Sequence, residues 1–324
     1  MRLAAAALAA LAALAACSSG GDAPGKRRGL APDEAAPAAA LDPARPDGSL
    51  AMTADEAARR IGSFEWTAAV DWTATRGGDH PSRLHAAERH RLRQAATGEF
   101  ALEDEIDPGD GPGSESGREI VWAGGTTYAR SRYAPFGAFR ERPTDRGRDA
   151  HRFRDESFGV VADLARLCGR LVLEPAGDAQ QLGRAARRYR ISLAKDEAAQ
   201  EPPAGRVFGA GGPDDDTRRH LAFLDGRVPL EASGELLVDA ATGVALRAHL
   251  RGALGVKDDP GARTRFEVVA QVKALGPAVA AVSAPRKALP DTRKPHGVEE
   301  ALQAAGLKKK AEEKGAGEEP DEAE

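Results

Sequence analysis

The residues of this chain most able to do covalent chemistry are its two cysteines, Cys17 and Cys168. A thiol can be acylated, oxidised or used as a nucleophile, and its surroundings decide which. Cys17 follows Met1-Arg2, an alanine- and leucine-rich run over residues 3–13, and the small pair Ala15-Ala16. This order is typical of a secretory signal peptide, and the run is too short for a convincing membrane-spanning helix. An ordinary signal peptide with a chance cysteine is the alternative to a modified Cys17.

The four residues Leu14-Ala15-Ala16-Cys17 resemble the lipobox of bacterial lipoproteins. The resemblance implies a signal peptide over residues 1–16, cleavage before Cys17, and fatty acyl chains such as palmitate on its thiol and new amine. Several acyl chains would anchor the protein far more firmly than one. The chain is then expected in the cell envelope, on the periplasmic side. Ser18 replaces the aspartate linked to inner-membrane retention, which favours the outer membrane over the inner.

Cys168 has no partner for an intrachain disulfide if Cys17 is acylated. A disulfide framework is therefore excluded, although the expected compartment is oxidising. Cys168 lies on the apolar side of a predicted helix that contains no histidine. We expect a buried structural cysteine, with a catalytic nucleophile as the alternative.

Two groups of polar residues invite a metal interpretation. His85 and His90 are five residues apart on a predicted strand, so their side chains should face opposite sides of the sheet and not converge on one zinc ion. Asp214-Asp215-Asp216 with His220 lacks the spaced oxygens and distal glutamate of a calcium loop. We expect a solvated loop there, no metal site and no cofactor.

No sequence motif supports an enzyme. The chain has no G-x-S-x-G, no P-loop and no G-x-G-x-x-G after a strand. The net charge of −4 argues against a general nucleic-acid binder. We predict a non-enzyme. A cluster of arginines is interpreted as a solvated loop face, with a phosphate- or headgroup-contacting patch as the alternative; it contains Arg130, Arg132, Arg140, Arg142, Arg146, Arg148, Arg152 and Arg154.

Alternating apolar residues predict nine or ten short-connected antiparallel strands. The clearest is Phe64–Trp72, in which every second residue is apolar. The segment 84–94 is rich in Arg, His and Glu, so we expect it to be solvated or near an edge. Further strands are predicted around residues 100–106, 120–132, 171–173, 189–193, 236–254, 266–272 and 279–282.

Two helices are predicted. Thr53 and Glu56 fit a capping box for a short helix that ends at Gly62. A period of three and four from Phe158 to Leu171 predicts one amphipathic helix between two sets of strands, closed by Gly169. The remaining chain is polar. We expect a disordered linker over 17–50, a folded domain over 51–290 and a charged, mostly disordered tail over 291–324.

These elements predict a mainly β (α+β) fold, a large curved antiparallel half-barrel sheet with a helix across its concave face. The lipobox, the strand order with a mid-chain helix, and the hairpin Val238–Leu246 together resemble the LolA/LppX/RseB-like group of envelope proteins. That resemblance covers about residues 51–285. It implies binding of acyl chains or lipoproteins between sheet and helix, or sensing of envelope stress.

We therefore predict a lipid-anchored envelope lipoprotein that binds or carries an acyl chain, lipid or lipoprotein in an apolar groove. The alternatives are a protein-interaction or stress-sensor module without a ligand, and a hydrolase with an unrecognised site. The expected partners are the membrane and the ligand, with no nucleic acid, and the expected state is a monomer. The predicted groove lining consists of Trp66, Trp72, Phe100, Trp122, Phe158, Leu164, Leu236 and Leu250.

Overall fold

The computed structural model describes residues 46–290, except for 78–80, 110, 112, 134–137, 143–146, 195–222, 224 and 258. The predicted signal peptide, Cys17 and the tail over 291–324 lie outside the described residues. Asp214, Asp215, Asp216 and His220 lie outside them too. The predicted segment boundaries therefore stay predictions.

The described strands form one open, curved sheet, as predicted, although it has 12 strands and not the nine or ten that the alternating patterns predicted. The order across the sheet is β12-β6-β5-β4-β3-β2-β1-β11-β10-β9-β8-β7. All neighbours are antiparallel except β12 and β6, which are parallel. The strands are β1 (Phe64–Arg76), β2 (Ser82–Gln94), β3 (Phe100–Asp107), β4 (Ser116–Ala123), β5 (Thr126–Ser131), β6 (Phe139–Arg142), β7 (Leu171–Gln181), β8 (Arg184–Leu193), β9 (Arg227–Asp239), β10 (Ala245–Val256), β11 (Asp259–Leu275) and β12 (Ala288–Leu289).

Four helices occur among the described residues: α1 (Asp47–Leu50), α2 (Ala54–Ile61), α3 (Gly147–Phe158) and α4 (Val160–Leu167). The predicted start of α2 is confirmed, because Thr53 Oγ1 accepts a hydrogen bond from the Glu56 amide at 3.2 Å. Gly62 ends α2 with φ at 80°, a conformation that favours glycine. A 3-10 turn, Gly276–Ala278, follows β11.

The single helix predicted over Phe158–Leu171 is wrong in its bounds. Two helices, α3 and α4, meet at Gly159, and Leu171 already begins β7. The buried residues of α3 have helical spacing, but two of them, Arg154 and Ser157, are polar. A search for apolar periodicity therefore misses α3.

The core lies on one face of the sheet, which we call the inner face. Strands β1, β10 and β11 each place alternate residues there, and the helices α3 and α4 pack over it. Ring contacts join helix to sheet: the Phe158 ring centroid lies 5.6 Å from that of Phe64 and 5.3 Å from that of Trp66. The burial of these aromatic rings contributes to the apolar stabilisation of the helices on the sheet.

Two strand predictions are corrected. The segment 84–94 is not at an edge; it is β2, which pairs with β1 on one side and β3 on the other. The predicted strand over 279–282 is wrong. Residues 279–287 are irregular, and Val282 packs against Ala101, Val121 and Ala123 on the opposite, outer face before β12 pairs with β6. We call residues 276–289 the C-terminal strap.

The sheet ends in β7 at one edge and β12 at the other. The strand β7 contains Pro175, and its pairing with β8 shifts register between Pro175 and Asp178. The strand β12 is only two residues long.

Candidate functional site between the sheet and the helices

The structure brings all eight residues of the predicted groove lining into one core cluster on the inner face. Trp122 and Phe158 are half-buried. The other six, from the strands and α4, are at most 6% exposed: Trp66, Trp72, Phe100, Leu164, Leu236 and Leu250. Whether these residues bind a ligand stays a prediction, because in this arrangement they contact one another and the helices.

Cys168 lies at the end of α4 and is completely buried, as predicted. Burial raises the pKa of its thiol to about 12, against the weaker effect of the Arg227 charge. A β-carbon added at Gly252 of β10 would lie 2.8 Å from the Cys168 sulfur and 2.4 Å from the Phe266 ring. Gly252 therefore gives the end of α4 the room to pack against the sheet.

A cluster of four ionisable residues lies on the same face, beneath α3. We call it the buried quartet; it consists of Glu88 and His90 of β2, Asp104 of β3 and Arg118 of β4. His90 Nδ1 lies 2.9 Å from Asp104 Oδ1, and Arg118 Nε donates to Asp104 Oδ2 at 3.1 Å. On the other side of the imidazole, His90 Nε2 lies 3.4 Å from Glu88 Oε2. Since the strands pair Glu88 with Ile106 and His90 with Asp104, sheet register positions all these groups.

The quartet is connected to aromatic core residues and to α3. Trp72 Nε1 donates to Glu88 Oε1 at 3.0 Å. The Arg118 guanidinium lies 3.9 Å from the ring centroid of Phe153 in α3. Ser157 Oγ, also in α3, lies 2.9 Å from Asp104 Oδ1 and 2.9 Å from the Phe153 carbonyl oxygen. Its single proton can serve one of these acceptors at a time.

The quartet holds its charges by mutual pairing. Burial alone would lower the pKa of His90, but hydrogen bonds and charges of Asp104 and Glu88 outweigh it and raise that pKa to about 9. Burial would raise the pKa of Asp104, yet His90, Arg118 and Ser157 together lower it. Two cations and two anions therefore face each other near neutral pH, so the cluster adds no net charge to the core.

The geometry of the quartet does not form a nucleophilic triad. In such a triad an imidazole accepts the serine proton and a carboxylate orients the imidazole. Here the Asp104 carboxylate lies between Ser157 and His90, so the imidazole does not contact the hydroxyl. This arrangement positions α3 on the sheet. The prediction that the chain is not an enzyme remains a prediction.

A second polar cluster joins α2 to α3. Arg154, 1% exposed, donates two hydrogen bonds to the Asp55 carboxylate at 2.6 and 2.8 Å. It donates two more to Asp155, at 3.0 and 3.2 Å. Its guanidinium carbon lies 5.0 Å from the ring centroid of Phe100. A guanidinium with this many partners fixes the relative position of the two helices.

An open cleft of about 560 Å³ lies beside this cluster. Its walls are α2, the β2–β3 turn, the β4–β5 turn and α3. Side chains of Asp55, Arg59, Glu99, Trp122 and His151 line it. Of the eight predicted lining residues, only Trp122 lines this cleft.

The arginine cluster fits neither of its two sequence interpretations completely. Arg154 is buried and paired, as described above. Arg130 donates to both oxygens of Glu119 and lies 4.5 Å from the ring centroid of Phe139. Arg146 and the side chains of Arg142 and Arg148 lie outside what the structure describes.

The predicted metal interpretations can be placed in part. His85 is exposed and His90 points to the inner face, so the two histidines face opposite sides as expected. Within the described ranges no group of three or more His, Cys, Asp or Glu residues could hold a metal ion. None of the helices in that part of the chain is long and apolar enough to span a membrane.

The hairpin Val238–Leu246 has the turn chemistry that its sequence predicted. Asp239 Oδ1 accepts hydrogen bonds from the Ala241 and Thr242 amides at 3.1 and 2.8 Å, and Arg184 pairs with Asp239 Oδ2. Gly243 has φ at 73°. The Asp239 carboxylate and the positive φ of Gly243 thus both serve to close the turn.

No family model matches the chain, and no curated protein sequence matches it. Among solved structures, an outer-membrane lipoprotein-sorting protein domain from Vibrio parahaemolyticus is 7% identical and covers 70% of this chain and 93% of its own, with a TM-score of 0.23. A LolA-superfamily protein from Nitrosomonas europaea is 9% identical over 69% of this chain and 96% of its own, with a TM-score of 0.18. The lipoprotein LppX from Mycobacterium tuberculosis is 9% identical over 70% of this chain and 94% of its own, with a TM-score of 0.22. These proteins include members of the group that the sequence resembles, while the fold assignment itself rests on the sheet and helices described above.

Proposed function

We propose that the chain is a lipid-anchored lipoprotein of the bacterial cell envelope, on the periplasmic side of the outer membrane. It binds a hydrophobic ligand, an acyl chain, a lipid or a lipoprotein, between the sheet and the helices α3 and α4. Cys17 carries the anchor. No catalytic step is assigned to it.

One observation carries this proposal: an inner face that is apolar except for the buried quartet is covered by two short helices that are separated at Gly159. The helices are only 12 and 8 residues long. Helices of this length have little stability of their own and depend on packing. If the pair moved off the sheet, Trp66, Trp72 and Leu250 would line a groove in which an acyl chain could replace the helix side chains.

The contacts that hold the helices are of a kind that can be broken and remade. Ring contacts of Phe158 hold the C-terminal end of α3 on the sheet. Hydrogen bonds of Arg154 and Ser157 hold α3 to α2 and to the sheet. Each polar group could bond to water when the helices move, so opening leaves none of them unsatisfied in an apolar site.

The decisive experiment is extraction of ligand from the full chain carrying Cys17→Ser. Because this variant lacks the attachment sulfur, any acyl species found by native mass spectrometry and lipid extraction is bound and not attached. We expect such a species at a fixed ratio to protein. Folded protein that carries none, and takes up none from added fatty acid, would contradict the proposal.

The tight packing of the inner face favours a second candidate, an envelope protein-interaction or stress-sensor module without a ligand. Six of the eight predicted lining residues are at most 6% exposed because other side chains already cover them. For this candidate, the Cys17→Ser chain would contain no lipid and would bind a specific envelope protein.

A further inference from the structure

The open cleft lies at one end of the interface between the sheet and α3. Trp122 and His151, both lining it, have ring centroids 5.1 Å apart. His151 also contacts the buried Phe100 ring, at 5.3 Å. The cleft therefore adjoins the core on one side and opens to solvent on the other. A ligand bound between sheet and helices would have its end here.

Aromatic and acidic side chains in the cleft suit a cation. The Trp122 indole is half-buried, with part of its surface in the cleft, and an ammonium group over an indole face gains cation–π attraction. The carboxylates of Asp55 and Glu99 lie in the same cleft. A ligand ammonium between them would have both a π face and negative charge.

The cleft also contains one cation that can accept an anion. Arg59 is exposed on α2, and no hydrogen bond or ion pair to it occurs among the residues that the structure describes. A guanidinium binds phosphate oxygens through two parallel hydrogen bonds. Arg154, by contrast, is already occupied by Asp55 and Asp155.

The charge balance disfavours a ligand head with only negative charge. In and beside the cleft, Asp55, Asp155 and Glu99 carry three negative charges and Arg59 and Arg154 two positive charges, which leaves one excess negative charge. Burial lowers the pKa of His151, and the nearby Arg154 charge lowers it further, so the imidazole adds no positive charge near neutral pH.

We propose that this cleft binds a zwitterionic head, an ammonium joined to a phosphate, of a phospholipid whose chains occupy the groove between sheet and helices. The inference rests on the proposed function and specifies its ligand. Arg59 binds the phosphate, and Trp122, with Glu99, binds the ammonium; Asp55 is bonded to Arg154 through both oxygens and adds only its charge nearby. The cleft volume of about 560 Å³ lies within the range of small-molecule sites.

The test compares two short-chain lipids with the same tails on the full Cys17→Ser chain, by calorimetry below their micelle concentrations. Dihexanoyl phosphatidylethanolamine should bind about tenfold more tightly than dihexanoyl phosphatidylglycerol. Glycerophosphoethanolamine, the same head without tails, should bind at least about tenfold more weakly than the lipid. Equal affinity for the two lipids, or a preference for phosphatidylglycerol, overturns the inference. So does equal binding of head and lipid.

Variants separate the head site from the groove. Trp122→Leu should remove most of the preference for phosphatidylethanolamine. Arg59→Gln should instead weaken both lipids by about tenfold and keep the preference, because both carry the phosphate. Arg187→Gln, an exposed arginine of β8, should change neither the affinity nor the preference. Binding of cis-parinaric acid, which has a chain but no such head, reports the groove alone. If the Cys17→Ser chain binds this probe but shows no preference between the two lipids, only the head site is refuted. No binding of this probe refutes the proposed function as well.

Discussion

At the scale of single residues, four charged groups lie under a helix in a mainly apolar core. The buried quartet is tolerated because its charges pair: Asp104 accepts hydrogen bonds from His90, Arg118 and Ser157, and its side chain is only 3% exposed. Removing one member would leave a buried charge without compensation, which costs far more than losing a surface ion pair.

The raised pKa of His90 predicts a stability that falls at alkaline pH. Its folded-state value of about 9 exceeds the ordinary 6.5, so its contribution is complete below pH 6.5 and is lost as pH rises through 9. The total loss should be on the order of 3 kcal/mol in the free energy of unfolding. Urea unfolding at pH 6, 7.5 and 9.5 measures it.

The matched controls for this prediction are two histidine variants. His90→Gln should abolish most of the decline between pH 6.5 and 9. His249→Gln should keep it, because His249 is a half-exposed histidine paired with Glu267 on β11. A decline that persists in His90→Gln would assign the effect to another group.

Replacement of the central carboxylate predicts a larger effect. Asp104→Asn leaves His90 and Arg118 without their common anion and should lower the free energy of unfolding by about 3–5 kcal/mol. Asp71→Asn removes an ion pair with Arg89 in which both side chains are 46% exposed, and should cost less than about 1 kcal/mol. Chemical denaturation of both variants at pH 7 measures the two losses in the free energy of unfolding. Equal losses would show that the quartet stabilises the fold no more than an exposed ion pair does.

The sequence predicts the apolar half of the site and misses the polar half. Alternation in β1 identified Trp66 and Trp72, because each lies on a strand with a regular period of two. In β2 the same period places Glu88 and His90 inside, but polar residues at inner positions look like a solvated strand. Only the pairing of β2 with β3 brings Asp104 to His90.

At the scale of elements, two helices, α3 and α4, pack over the inner face and meet at a single glycine. Gly159 separates α3 from α4 at φ −81° and ψ 2°, values outside the α-helical range. A β-carbon at Gly159 would lie 2.9 Å from the Asp155 carbonyl oxygen. The sequence predicted α4 from its apolar side and missed α3, whose inner side is partly charged.

A disulfide between α4 and β10 should close the proposed groove. The β-carbon position at Gly252 lies 2.8 Å from Cys168 Sγ but only 2.4 Å from the Phe266 ring, so Gly252→Cys is combined with Phe266→Leu to relieve that clash and place two thiols within reach of a bond. In the Cys17→Ser chain, the oxidised variant should lose most binding of cis-parinaric acid, and a reductant should restore it. Equal binding before and after reduction would show that α4 does not move for a ligand.

At the scale of the whole molecule, the C-terminal strap links the middle of the sheet to one of its edges. It follows β11, which lies between β1 and β10, and ends in β12 beside β6. On the way, Val282 covers Ala101, Val121 and Ala123. The compact unit of the chain ends at Leu289.

The strap predicts opposite results for two truncations. A Cys17→Ser chain ending at Pro290 should unfold within about 2 °C of the full Cys17→Ser chain. A chain ending at Ala278 loses the Val282 contacts and the β12 pairing, and should lose about 1–3 kcal/mol of stability. Thermal unfolding by circular dichroism measures both, and equal midpoints would show that the strap adds nothing to the fold.

The proposed anchor predicts that replacing one sulfur atom changes the phase into which the protein partitions. Cys17→Ser should abolish acylation and move the protein from the detergent phase to the aqueous phase in a phase-partition experiment. Cys168→Ser, at the buried thiol, should leave the partition as it is. Intact mass of the membrane form gives the number of acyl chains. Unchanged partition of Cys17→Ser would contradict the lipoprotein assignment.

The two margins of the sheet differ in how they prevent further strands from joining. A proline and a register shift interrupt β7, and a parallel strand of two residues covers β6. Proteins tethered to one surface meet their neighbours at high local concentration, where long regular margins would favour polymerisation. If Cys17 anchors the chain as proposed, interrupted margins of this kind would let many copies crowd side by side on a membrane and still remain separate molecules.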